Sequence, residues 1–464
     1  MNRFIFLLIA LLSCSGSLWS QKQTWYGNLD VGSVALRLVF HVDQEGKTYT
    51  TTMDSPDQGV TGMPTTSTSV KDGWIIIQAE NIGMTYAGKL YADSIAGTFS
   101  QGGFRKALSL YKTPPPVKEI TYNRPQTPQP PFNYSIDTVY FTNPSDKATL
   151  HGVLTRPENK KSFPLAVLIS GSGTQDLNST VMHHQPFWVI ADALTRQGIA
   201  VFRFDDRGAG KSKGNPAQTT SATIAEDVAA AIATLRQQYK DFTRIGVIGH
   251  SQGGSVAIRL GAEQRSPVDF MILLASPGLA GTDIIVDQTK KIGREQHLPD
   301  SVIDEQVRVT QALHHIIMDQ KDSAAIAGAL AAYSEQQWKA LPEEQRKLAG
   351  SSDLFMQYNT SLNNPAVTDI ISFDPVPLLP RIKCPVLILN GELDIQVDAR
   401  LNTAAILSGI RKGGNKNVAV KTYPYLNHLF QYAVNGSVEE YEILEETFNE
   451  APLEDMIRFI RSLP

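Results

Sequence analysis

Ile245-Gly246-Val247-Ile248-Gly249-His250-Ser251-Gln252-Gly253-Gly254 is the stretch that decides how the rest of the chain is read. Residues 245–248 are a short apolar run that reads as a buried strand, and residues 255–262 read as a helix, so the glycine-flanked serine stands in a sharp strand-to-helix turn. Such a turn lifts the Ser251 hydroxyl clear of the sheet, and Gly249 and Gly253 leave room for the tight backbone. The free N–H groups of the helix's first turn point toward the serine. The Gln252 N–H is thereby placed to bind developing negative charge.

A serine hydroxyl is a weak nucleophile until a base takes its proton, so a histidine is required. The nine are His41, His151, His183, His184, His250, His297, His314, His315 and His428. His250 adjoins the serine and reads as a packing or hydrogen-bonding neighbour. His314 and His315 sit in a helical stretch, whereas His183 and His184 begin a helix beside the sheet and are candidates for a pocket wall. His428 lies in Tyr425-Leu426-Asn427-His428-Leu429, directly after the last strand and on the same rim as Ser251.

The base must be held by a carboxylate on its second nitrogen. Asn390-Gly391-Glu392-Leu393-Asp394 leaves a strand at that edge, which makes Asp394 the expected acid, with Glu392 and Asp398 as rivals. Asp398 reads as the cap of a helix beginning near residue 399. The order Ser251, Asp394, His428 is the order in which such a serine meets its partners. A second oxyanion donor is expected from Ser170-Gly171-Ser172-Gly173-Thr174, through the Ser172 N–H or alternatively that of Gly173. Asp206-Arg207-Gly208-Ala209-Gly210 lacks phosphate-loop spacing, so Asp206 and Arg207 are expected to pair with each other or with neighbouring backbone.

Around these motifs, apolar strands at 165–169, 199–204, 245–248, 270–274, 386–389 and 418–423 alternate with helices, which predicts a mostly parallel sheet covered on both faces. The clearest helix is expected to start at Thr223, with Glu226 completing a capping box. Residues 279–375 interrupt the rhythm with helical sequence and read as a cap insertion over the carboxyl ends of the strands. Trp338, Phe355, Met356 and Tyr358 in that insertion are candidates for an apolar pocket or for core. Upstream, residues 21–112 carry alternating runs (35–42, 48–53, 74–79, 84–90, 95–99) that predict a small all-β unit, lipocalin-like or a sandwich. Residues 113–133, with Pro114, Pro115, Pro116, Pro125, Pro128, Pro130 and Pro131, read as a stiff linker to a domain spanning 134–464.

The chain has 464 residues, 42% of them hydrophobic and 19% charged, which is ordinary globular composition. Its net charge of −4 lacks the basic excess of a nucleic-acid binder. Residues 1–20 place Arg3 before nine apolar residues and a serine-rich stretch, the layout of an export signal. An alternative is a lipoprotein signal with Cys14 as the acylated residue, which would make a membrane a partner. Either route leaves Cys384 as the single cysteine of the folded part.

Residues 134–464 resemble the α/β-hydrolase superfamily, in its secreted bacterial esterase and serine-aminopeptidase-like branch, where an N-terminal accessory domain precedes the hydrolase. The resemblance rests on residues 249–254, on residues 206–210, on Phe373-Asp374-Pro375, on residues 384–391 with Asp394, and on Leu426-Asn427-His428. It implies an α/β fold with a helical cap, Ser251 as nucleophile, His428 as base and Asp394 as acid. Relatives often open the oxyanion loop with His-Gly, where this chain has Ser170-Gly171. The expected activity is hydrolysis of a small-molecule or glycan-linked carboxylic ester, without cofactor or metal; the histidines also lack H-E-x-x-H spacing. The alternatives are a serine peptidase of the aminopeptidase or prolyl type, and a surface binding module with an inactive hydrolase part. Short acyl chains are the expected substrates.

Overall fold

A computed structural model describes residues 21–464 apart from 31–34, 47, 59, 80–81, 102–103, 116–121, 159, 264–267, 321, 342, 344–345 and 347–359. Residues 1–20, read above as an export signal, with Cys14, and Phe355, Met356 and Tyr358, lie outside the described residues. The chain divides into two compact units, residues 1–120 with 331–360, and residues 121–330 with 361–464.

The first unit contains β1 (Gln21–Asp30), β2 (Ala35–Glu45), β3 (Thr48–Ser55), β4 (Val60–Pro64), β5 (Ser67–Lys71), β6 (Trp74–Ala79), β7 (Met84–Leu90), β8 (Ser94–Gln101) and β9 (Phe104–Tyr111). They form an antiparallel sheet ordered β2-β1-β9-β8-β7-β6-β5-β3-β4, and the further β2–β3 pairing closes it into a barrel rather than a sandwich. Period-two alternation fills the interior. In β6 the residues Ile75, Ile77 and Ala79 are buried while Trp74, Ile76 and Gln78 face out. Tyr86 stacks on Phe40 with ring centroids 5.6 Å apart, and its hydroxyl lies within hydrogen-bonding distance of the carbonyls of Ile95 and Leu108. The sequence reading found five of these strands; β4 and β5 are short and polar, and β1 and β9 escaped it.

The second unit is built on an eight-stranded sheet ordered β10-β11-β13-β12-β14-β15-β16-β17. Its strands are β10 (Tyr134–Thr142), β11 (Thr149–Pro157), β12 (Phe163–Ile169), β13 (Ala200–Phe204), β14 (Phe242–His250), β15 (Phe270–Leu274), β16 (Val386–Gly391) and β17 (Val418–Tyr423). The six from β12 onward run parallel, as expected, while β10 and β11 add an antiparallel edge that was not. Both faces are covered. α1 (Pro186–Arg196) packs on one face, and α2 (Ser221–Gln238) and α3 (Gln252–Gly261) pack on the other. Every residue of β13 and β15 is consequently buried.

Between β15 and β16 lie α4 (Gly281–Glu295), α5 (Asp300–Asp319), α6 (Ser323–Ala340) and α7 (Pro365–Ser372). After β16, α8 (Ala399–Lys412) joins the face that holds α2 and α3, and after β17, α9 (Glu450–Ser462) joins that of α1. The start of α2 differs from the capping-box expectation at Thr223. Thr220 is the cap, its hydroxyl accepting the Thr223 N–H at 3.2 Å, and Asp369 of α7 accepts the Ser221 N–H at 2.7 Å. With one turn more of helix available, an oxygen three residues upstream served the same purpose.

The chain leaves β12 toward β13 on one side and returns through β14 on the other. That reversal opens a crevice at the carboxyl ends of β12 and β14, which is where ligands bind in open α/β sheets.

Candidate active site

β14 ends at His250 and α3 begins at Gln252, leaving Ser251 alone at the crevice with φ 54° and ψ −121°. A side-chain-bearing residue in that region is strained, and it persists because its surroundings fix it. The Ser251 N–H donates to the Leu274 carbonyl at 2.9 Å, and the Gly254 N–H returns to the Ser251 carbonyl at 2.8 Å. Close packing explains the flanking glycines. A Cβ at Gly249 would stand 2.2 Å from the Gly253 carbonyl oxygen, and one at Gly253 would stand 2.2 Å from that of Ile169. The helix starts three residues before the expected 255, so the Gln252 N–H belongs to its first turn, where backbone donors lack intrahelical partners.

Asp394 and His428 meet at the same edge. Asp394 follows β16 and is 2% exposed; His428 follows β17 and is 4% exposed. The His428 Nδ1–H donates to Asp394 Oδ2 at 2.8 Å. Asp394 Oδ1 accepts the N–H groups of Gln396 and Val397, each at 2.8 Å. The histidine loop is itself pinned, with Asn427 Oδ1 accepting from the N–H groups of Leu429 at 3.0 Å and Gln431 at 2.9 Å.

The rival acids have other work. Asp398 caps α8 by accepting the Leu401 N–H at 2.7 Å, as its sequence position suggested, and Glu392 accepts from the Thr422 hydroxyl at 2.6 Å.

His250 joins the two halves of the site. Its Nε2–H donates to the His428 carbonyl at 2.9 Å, and the two rings lie 4.8 Å apart. Burial, helped by the adjacent His428, pushes its pKa down to about 4, so it stays neutral near pH 7 and acts as a fixed donor. His183 and His184 do not line the pocket. His183 stacks on Tyr122 at 4.3 Å, and His184 is buried between Thr447 and the Tyr441 carbonyl.

Ser251, Gln252 and Ser172 share a cavity of about 250 Å³ with Ile284 and Ile285 of α4 and Ile370 of α7. The cap therefore supplies its apolar wall, though from residues other than Trp338, which is not part of the lining. An amphipathic reading of 281–292 alone would have pointed to Ile284. The loop after β12 reaches the nucleophile: a Cβ at Gly171 would lie 3.3 Å from that of Ser251. Asp206 and Arg207 do not pair with each other. Asp206 accepts from the Ser170 hydroxyl and the Gln175 N–H, the backbone half of the expectation, while Arg207 forks onto Asp227 and also contacts Asp146. Among the described residues no group of three or more His, Cys, Asp or Glu side chains is placed to hold a metal ion.

Residues 180–326 match the family described as serine aminopeptidase, S33. The chain is 25% identical over 281 residues to esterase EstD of Thermotoga maritima, an alignment covering 60% of this chain and 58% of that relative's length. Among solved structures it is similar to an esterase of Pyrococcus furiosus, with 18% identity, a TM-score of 0.42, and coverage of 74% of this chain and 97% of the other. An esterase of Exiguobacterium antarcticum is similar at 16% identity and a TM-score of 0.39, over 69% of this chain and 99% of that one.

Proposed function

We propose that this chain, an α/β hydrolase, cleaves carboxylic esters with Ser251 as the nucleophile. The observation that carries the reading is the buried Asp394–His428 pair on the rim where Ser251 is held at φ 54°. In the proposed reaction Ser251 Oγ attacks the acyl carbon as His428 Nε2 takes its proton. Asp394 holds the imidazole, and the Gln252 and Ser172 N–H groups receive the oxyanion. His428 then returns the proton to the leaving alcohol, and a water activated by the same nitrogen releases the acid from the acyl-serine. The residues need no metal or cofactor for these steps.

Amide cleavage is the second reading, favoured by the match of residues 180–326 to serine aminopeptidases. One plate separates the two: mature protein and its Ser251→Ala variant on short-chain aryl acyl esters and on aminoacyl anilides. Ester turnover that requires Ser251 supports the first reading, preferential anilide turnover replaces it with the second, and ester turnover surviving in the variant rejects the serine mechanism. The character of residues 1–20 leads us to place this activity outside the cytoplasm, with the barrel as an accessory unit.

A further inference from the structure

Three consecutive residues at the end of β13, Asp205, Asp206 and Arg207, are all nearly buried and each is committed in a different direction. Asp205 accepts from His151 at 2.7 Å and from the N–H groups of Leu177 at 2.9 Å and Lys211 at 3.0 Å. Arg207 turns away, donating to Asp227 at 2.7 Å through both Nε and Nη2. Asp206 is the one of the three that bonds the start of the loop after β12, residues 170–175. The Ser170 hydroxyl lies 3.0 Å from each of its carboxyl oxygens, Oδ2 also accepts the Gln175 N–H at 2.9 Å, and the Asp206 N–H donates to the Gln175 carbonyl at 3.0 Å.

Those contacts grip the stretch 170–175, the part of the loop beside Ser251, at its two ends. Ser170 is the first residue after the strand and Gln175 closes that stretch, and between them lie Gly171, packed against Ser251, and Ser172, in the wall of the cavity. Inside the turn, Gln175 Nε2 donates to the Ser172 carbonyl at 3.2 Å, so the far anchor also braces the residue that matters. We infer that Asp206 is the positioning residue of the oxyanion loop, fixing the Ser172 N–H opposite Ser251 by tying Ser170 and Gln175 to the sheet. This rests on the reading of Ser251 as nucleophile.

The physical argument is one of distance tolerance. An oxyanion donor stabilises charge only when held about 3 Å from where that charge appears. The loop carries two glycines, Gly171 and Gly173, which bring no side chain to hold it, and Gly173 sits at φ 89°. A buried carboxyl is costly unless hydrogen-bonded. Burial pushes that of Asp206 up to about 7 against the two hydrogen bonds it accepts, with the nearby carboxylates of Asp205 and Asp227 adding to the rise. The group that bears this cost is the one that bonds both ends of the loop.

The test uses the full chain and the variants Asp206→Asn, Ser170→Ala and the double variant, on an aryl ester, with rates normalised to sites titrated by a fluorophosphonate. Asparagine keeps the volume but cannot accept at both former oxygens, and Ser170→Ala removes the other side of one contact. The expected result is a fall in kcat of about tenfold to a hundredfold in each single variant with KM within about twofold, the pattern of an interaction used only in the transition state. The double variant should be no slower than the slower single one, because both act through the same loop. Wild-type kcat in titrated sites, or a raised KM at unchanged kcat, overturns the inference. Should Asp206→Asn fail to fold, Ser170→Ala is read by the same criterion. Loss of the underlying reading looks different: Ser251→Ala would keep its turnover, or the wild-type protein would not titrate.

Discussion

His428 and Asp394 are locked to each other from both sides: Nδ1–H donates to Asp394 Oδ2 at 2.8 Å, and the far oxygen of the same carboxylate is held by the N–H groups of Gln396 and Val397. Two backbone N–H groups fix the acid independently of the histidine, so the imidazole has one orientation and one tautomer available. Asp394→Asn should therefore hold the histidine with the wrong nitrogen protonated. Turnover of an aryl ester is expected to fall by about 10⁴-fold. A loss of less than about tenfold in steady-state kcat would remove Asp394 from the mechanism.

Ser251 bears backbone strain for the sake of its position. Its φ of 54° suits glycine better than serine, so Ser251→Gly should gain roughly 1 kcal/mol of stability, the relief of φ strain offset in part by glycine's extra freedom when unfolded. Activity should vanish in the same variant. Urea midpoints are the measurement, and a variant less stable than wild type would contradict the strain argument.

Burial of His184 makes stability depend on acid. Its pKa falls from 6.5 to about 4, chiefly through desolvation, so the unfolded chain takes up this proton first. Stability present above pH 6.5 is thus lost as the pH falls toward 4. His184→Gln loses hydrogen bonds and should be weaker at pH 7.5, yet its decline between pH 6.5 and 4 should be shallower. Parallel declines of the two denaturation midpoints across that range would refute the assignment.

On the proposed ester reading, the α4 wall of the cavity decides which esters enter. Ile284 is 7% exposed and shares the cavity with Ser251, so Ile284→Phe should fill space that a longer acyl or alcohol group needs. Esters of longer acyl chains are expected to lose about tenfold or more in kcat/KM relative to acetyl esters. An unchanged chain-length profile would move the specificity pocket elsewhere.

Gly249 to Gly253, Asp394 and His428 each follow an apolar strand at its carboxyl end, and that placement made the meeting of Asp394 with His428 legible in the sequence. The partners of Asp206 and Arg207 were not legible. Asp146 and Asp227 come from distant stretches, and only the fold brings them to Arg207. β10 and β11 escaped for a related reason: β10 is an edge strand with Ile136 and Tyr140 exposed, and His151, Gly152, Thr155 and Arg156 interrupt β11, so neither has a long apolar run. The shift of the α2 start from Thr223 to Thr220 is a local ambiguity, since both threonines can cap and only Asp369 of α7, meeting the Ser221 N–H, decides between them.

The most direct measurement is peptide mapping by mass spectrometry after the protein reacts with a fluorophosphonate, with residual ester turnover followed in the same sample. The account expects one adduct per chain, on the Ser251 hydroxyl, appearing in step with loss of turnover, and little labelling of His428→Ala. Complete loss of turnover with Ser251 unmodified, or full labelling of Ser251 with turnover retained, would contradict it.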